Sequence, residues 1–192
     1  MSEMTVETRR DQILDAALRL FAARGYDGAS MKEIAAEAGI APALIYHYFA
    51  SKEDLLHEAV NTRSMVPHLR EILTVSGDES AATVLLAIAR RFAQFLAERE
   101  DLFRLVMHES RRHPAVEAAH RRAMGAGIDL ISTYLRSRVA AGELREHAVQ
   151  VTAMMLMAPV AMARLRGDSV EWIPELVHTL LDGVRAQEGA AR

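Results

Sequence analysis

The 192-residue sequence contains no cysteine, which excludes disulfides and thiolate chemistry. β-forming patterns are scarce. Ala, Leu, Glu and Arg abound instead, which favours an all-α protein. Long hydrophobic runs are also missing. The longest, Val151 to Ala163, is too short to span a bilayer and contains Pro159. The N-terminus is polar and acidic, unlike a signal peptide, so a cytoplasmic protein without membrane contact is expected. No serine–histidine–acid set and no glycine-rich phosphate loop can be read. His108–Glu109 begins like a zinc-protease motif, but His113 follows Glu109 one position too late for two ligands on one helical face. His113, Glu117 and His120 share a helical face, and a solvated face is the simpler account of them. No metal, cofactor or catalytic residue is expected. A basic surplus is missing too. The net charge is −3, and residues 1–67 alone carry seven basic and ten acidic side chains, again −3. No acid stands between Glu37 and Glu53, however, so that stretch still permits phosphate approach.

What is present is concentrated between Ser30 and Phe49. Ser30 and Glu33 form an S-x-x-E capping box at the start of a helix. Ile34, Ala35 and Ala38 give that helix an apolar face. Gly39 sits where the helix stops and φ turns positive. Ile40 plugs the space between two helices. Pro42 suits the first turn of the second helix, which carries Leu44, Ile45, Tyr46, His47, Tyr48 and Phe49. A capped helix, a glycine turn and a short second helix make a helix-turn-helix over residues 30–49.

The flanks narrow the reading. Upstream, Thr8 to Ser30 reads T-R-R-D-Q-I-L-D-A-A-L-R-L-F-A-A-R-G-Y-D-G-A-S. Downstream, Tyr46 to Leu56 reads Y-H-Y-F-A-S-K-E-D-L-L. Together these resemble the N-terminal DNA-binding domain of the TetR family of transcriptional regulators, over about the first third of the chain. The resemblance implies a three-helix DNA-binding domain over residues 7–67. A helical-bundle regulatory, ligand-binding and dimerisation domain would follow over 68–192. It also implies DNA-facing residues: Ser30, Lys32, Ala41, Pro42, Ala43, Leu44, Tyr46, His47, Tyr48 and Lys52. Arg9, with Arg10 near the start of the first helix, reads either as a solvated helix end or as a minor-groove or phosphate contact. Pro42, Ala43, Leu44 and Tyr46 would face bases, Tyr48 and Lys52 phosphates, with His47 nearby. Leu44 is expected to face out, with Ile45 and Phe49 facing in.

The chain departs from the family pattern at one place. Ala41 stands where Ser or Thr is common, so the second helix lacks its usual cap and a phosphate donor. No Arg, Lys, Asn or Gln lies between Ala41 and Ile45, so bidentate reading of guanine or adenine from there is impossible. Thymine methyls, Tyr46 and DNA shape are left to carry specificity.

Along the rest of the chain, the first helix is expected from near Thr8, after an arm of residues 1–7. It buries Ile13, Leu14, Ala17, Leu20 and Phe21 and ends at Gly25. Ser51 and Asp54 cap another helix, which Pro67 kinks or breaks. Asp78 is expected to cap the next. A short helix then carries Leu102, Phe103, Val106 and Met107. A long one follows from Pro114 to Gly142, with Gly125 and Gly127 in its middle. The segment Val151–Ala163 is apolar all round, which predicts burial on every side and a partner chain. Asp168 and Glu171 read as a capping pair for the last helix, and the tail from Gln187 as frayed. The resemblance implies a homodimer through the last two helices, with Met154, Trp172, Leu176, Leu180 and Val184 at the interface. Two reading heads would then span half-sites roughly 34–36 Å apart on a palindromic double-stranded operator. It implies a pocket for a small hydrophobic effector as well, with Phe92, Phe95, Phe103, Met107, Tyr134 and Met155 as its walls. The expected function is a dimeric repressor that leaves its operator when the effector binds. Two alternatives stand beside it: a DNA-binding regulator controlled by a protein partner, and a helical enzyme.

Overall fold

The computed structural model describes residues 6–77 and 79–183. Residues 1–5, Asp78, Val184 and the tail from Gln187 lie outside them, as does the side chain of Leu102. Ten α-helices form among the described residues, in two compact units.

The first unit holds α1 (Val6–Arg24), α2 (Met31–Glu37), α3 (Ile45–Tyr48), α4 (Lys52–Thr62), α7 (Glu100–Glu109) and the start of α8 (Pro114–Ala140), as far as Ala123. α1 begins at Val6, earlier than its expected start near Thr8. Its stripe of Ile13, Leu14, Ala17, Leu20 and Phe21 is buried, together with Ala16 and Leu18. The buried arc is wide because α1 packs against α2, α4 and α7. Ile34, Ile45, Phe49, Leu55 and Leu56 close this core from the other head helices. Val106, Val116 and Ala119 complete it from α7 and α8. The unit is therefore discontinuous in sequence: it closes at Ser64 and takes in residues 100–123, which a single cut at Pro67 does not anticipate. Arg63 ties α4 back to α1, with Nε 2.9 Å from Asp15 and Nη2 2.8 Å from Asp11.

The second unit holds α5 (Val66–Val75), α6 (Ala81–Glu98), the rest of α8, α9 (Val149–Arg166) and α10 (Ile173–Asp182). Pro67 lies in the first turn of α5, where its missing N–H costs nothing, and the break falls just ahead of it at residues 63–65. The cap of α6 is Ser80, whose Oγ accepts from Thr83 N at 3.2 Å, in place of the expected Asp78. Leu69, Leu85, Ile88, Ile131, Leu135 and Leu156 form the centre of the second core. Gly127 lets Leu69 approach: a Cβ there would stand 3.4 Å from Leu69 Cδ1.

One expectation fails here. Asp168 and Glu171 do not cap α10, which starts at Ile173 after Trp172. Asp168 pairs with Arg166, and Trp172 Nε1 donates to Ser169 O at 2.8 Å. Within one protomer α9 is covered on one side only, as the expectation of a partner chain requires. Thr152, Ala153, Leu156, Val160 and Ala163 face the core. Val151, Met154, Met155 and Met162 are 47–52% exposed. With exposed Ala158 they recur at i, i+3, i+4, i+7 and i+11, one continuous apolar stripe. One protomer covers a single side of this helix.

Candidate nucleic-acid interface

The helix-turn-helix forms as its residues dictate. Glu33 N donates to Ser30 Oγ at 3.2 Å, and Ser30 N donates to Glu33 Oε2 at 2.9 Å. This capping box satisfies two backbone donors at the start of α2. The Ser30 hydrogen bonds, then Arg24, hold the Glu33 carboxyl below its ordinary pKa. At the other end, Gly39 N donates to Ala36 O at 3.1 Å and Ile40 N to Ala35 O at 2.9 Å. This reciprocal pair needs the left-handed φ of +67° that Gly39 supplies. Ile40 is then buried as the inter-helix plug.

The second helix is shorter than its sequence promises. Pro42 to Leu44 form a turn, and only Ile45–Tyr48 are α-helical. The missing side-chain cap at Ala41 accounts for this: only its carbonyl accepts, from Leu44 N at 2.9 Å. Ile45 is fully buried and Phe49 nearly so, and these two anchors orient the turn of helix between them. Tyr46 is 59% exposed. Ala41, Pro42, Ala43 and His47 are exposed beside it, as are Ser30 and Lys32 at the start of α2. Leu44 does not face out as expected. It is half-buried against the head core, with its own backbone already helical at φ −70° and ψ −30°. Tyr48 is half-buried against the same core.

The cations of the head are mostly engaged. Arg24 pairs with Glu33 at 2.7 Å and Arg19 with Glu37 at 3.1 Å, which screens both acids of α2. Arg10 pairs with Glu58, donates to Tyr48 O at 3.3 Å, and lies 4.6 Å from the Phe49 ring centre. It braces α3 from behind, whereas its neighbour Arg9 is half-buried. Lys52 differs most from expectation. Its Nζ donates to Tyr26 O at 2.9 Å and Ala29 O at 3.1 Å and sits 4.3 Å over the Tyr26 ring. An ammonium has three donors, so one remains for a phosphate while two hold the loop before α2. The Lys52 and Arg10 contacts span 23 to 48 residues, and no local sequence signal encodes them.

The expected effector walls are divided between the two units. Met107 packs on the core of the first unit, and Phe103, half-buried, belongs to that unit too. Phe92, Phe95 and Tyr134 flank the core of the second. Met155 lies on the outward stripe of α9 and is no wall of an internal pocket. Tyr134 Oη and Ser132 Oγ are buried without a hydrogen-bond partner among the described residues. His113, Glu117 and His120 do not act together either. Glu117 pairs with Arg121 in solvent, His113 turns toward Glu109 and Asp27, and burial lowers the pKa of His120. Among the described residues no group of three could hold a metal ion, and no helix is long and apolar enough to cross a membrane.

Comparison with known proteins agrees with this geometry. Residues 13–59 match the bacterial regulatory proteins of the tetR family. Residues 83–167 match the C-terminal domain of AefR-like transcriptional repressors. The regulator BetI of Rhizobium meliloti is 40% identical over 96 residues, 47% of this chain and 46% of that protein. The alignment thus spans about half the length of that relative. BetI of Brucella canis is 30% identical over 161 residues, 69% of this chain and 81% of its own. Among solved structures, the regulator FadR of Bacillus subtilis, in complex with stearoyl-CoA, superposes with a TM-score of 0.74 at 21% identity, over 91% of this chain and 99% of that one. With a core built on α1–α4, a capped α2 and outward-facing residues 41–43, 46 and 47, the chain belongs to the TetR family of bacterial transcriptional regulators.

Proposed function

We propose that this protein is a cytoplasmic repressor that binds a palindromic operator as a homodimer and releases it on binding an amphiphilic effector. One observation carries the DNA-binding part. Ile45 and Phe49 are anchored in the core while Tyr46, His47, Pro42 and Ala43 are left exposed on the same short segment. Such a surface enters a major groove with apolar and aromatic contacts. The apolar stripe on α9 supports the dimer, joined by half-buried Trp172, Leu176 and Leu180 at α10. Repression is favoured by the match to a repressor C-terminal domain.

The effector belongs to the second unit. Phe92, Phe95 and Tyr134 offer apolar surface, and the unpartnered Tyr134 Oη and Ser132 Oγ can take a polar group. The stearoyl-CoA bound by FadR supports a long-chain acyl amphiphile as the class. The test is a binding-site selection from random duplex DNA with the purified protein. An enriched inverted repeat supports the proposal, and its release by an acyl-CoA extends it to the effector. A folded dimer that enriches no sequence at low salt refutes it.

A further inference from the structure

The loop between α1 and α2, residues 25–30, is held from two directions. From α4, Lys52 bonds the Tyr26 and Ala29 carbonyls. From the turn between α7 and α8 comes His113. Its Nε2 lies 3.5 Å from Asp27 Oδ2, and its ring stands 5.8 Å from the Tyr26 ring, centre to centre. The same nitrogen is 3.0 Å from Glu109 Oε2. The Glu109 side chain is only 12% exposed, and His113 N donates to Glu109 O at 2.8 Å to close the turn. A continuous set of contacts therefore runs from α7 through His113 to Tyr26 and Asp27. It continues to Lys52 at the start of α4, whose second bond holds Ala29, the residue before the Ser30 cap of α2.

Packing does not need this arrangement. Val106, Val116 and Ala119 already bury α7 and α8 against α1. A nearly buried carboxylate is costly to keep unless a partner offsets its desolvation, and His113 is the nearest one. The two contacts of His113 differ in kind. The contact to Glu109 is sheltered and fixes the imidazole, whereas the Asp27 side chain is 75% exposed. An exposed pair is weak and readily broken, so small movements of α7 and α8 are enough to make or release it.

We propose that His113, oriented by Glu109, is the positioning residue through which the α7–α8 turn sets the loop at residues 25–30 and thereby the pose of α2 and α4 on DNA. This rests on the DNA-binding reading above and adds the route by which the helices beyond the head act on it.

The test uses the full chain and the duplex enriched by selection. Dissociation constants are measured for wild type, Asp27→Asn, His113→Gln, the double variant, and Arg112→Gln as a neighbouring exposed control. An exposed polar pair of this kind shifts an equilibrium by no more than about two- to five-fold. Both single variants should therefore shift the constant by that factor in the same direction. The double variant should shift it no further, and Arg112→Gln not at all. His113→Lys, which again places a nitrogen donor between the carboxylates, should restore the wild-type value. Unchanged affinity, or shifts that multiply in the double variant, overturns the proposal. Asp27→Asn changes only an exposed side chain, so the test survives even if His113→Gln folds poorly. If wild type enriches no duplex, the DNA-binding reading is what fails. Amide hydrogen exchange at residues 26–30 then reads the contact in the free protein: faster exchange in both single variants supports the loop restraint, and unchanged exchange overturns it.

Discussion

Met154→Asp should take the dimer apart without harming the protomer. Met154 lies in the α9 stripe with Val151, Met155 and Met162, all 47–52% exposed. Burying a whole side chain of this size is worth ~1.5–3 kcal/mol, so the exposed half of each is worth about 1 kcal/mol. A two-fold axis repeats all four, for a gross gain of about 8 kcal/mol. Association itself costs about 4–15 kcal/mol. The stripe therefore suffices only with help from α10, where Trp172, Leu176 and Leu180 are half-buried. The substitution removes two methionine contacts, about 2 kcal/mol, and desolvates two carboxylates at several kcal/mol each. A loss of at least about 5 kcal/mol raises the dissociation constant more than ~1000-fold. Sedimentation equilibrium reads this directly, with circular dichroism to confirm the fold. A variant that dimerises like wild type would place the interface elsewhere.

Three further outcomes follow from the same structure. Replacing thymine by uracil at each position of the selected operator should weaken binding at one or more base pairs, because the segment from Ala41 to Ile45 offers only apolar contact to base edges; a titration series unchanged at every position would refute methyl reading. Stability should fall as the pH drops below about 6.5. Burial lowers the folded pKa of His120, and of His68 with help from Arg91, so the unfolded chain takes up protons first and the stability present above that pH is lost toward the folded values. Urea melts of His120→Gln should show a shallower loss over that range, and an unchanged slope would count against it. Gly125→Ala should raise the melting temperature by about 2–4 °C, since the position is exposed in mid-helix, nothing lies within 4 Å of the added methyl, and Ala is favoured over Gly by about 1 kcal/mol. A lowered melting temperature would mean that α8 needs its flexibility there.

The helix-turn-helix was legible because its signals are local. The Ser30–Glu33 cap and the Gly39 turn each depend on residues within five positions, and both form as read. The missing cap at Ala41 was also visible, and α3 begins only at Ile45, with no side-chain cap. What could not be read depends on chain segments far apart. Nothing near Lys52 announces the carbonyls of Tyr26 and Ala29. Nothing near Val106 or Val116 shows that their apolar faces belong to the head core. The pairing of Glu109 with His113 spans one helical turn, but Asp27 lies far away in sequence. Residue type does not distinguish outward Met155 from buried neighbours on the same helix.

The measurement that bears most directly on the central claim is the affinity of the selected inverted repeat for wild type and for Tyr46→Ala, at matched salt. Tyr46 is exposed, so its loss leaves the core intact. A tenfold or greater loss on the inverted repeat, with unchanged affinity for random duplex, is the predicted result. Equal affinity of the two proteins for the inverted repeat would contradict the assignment of α3 as the element that reads DNA.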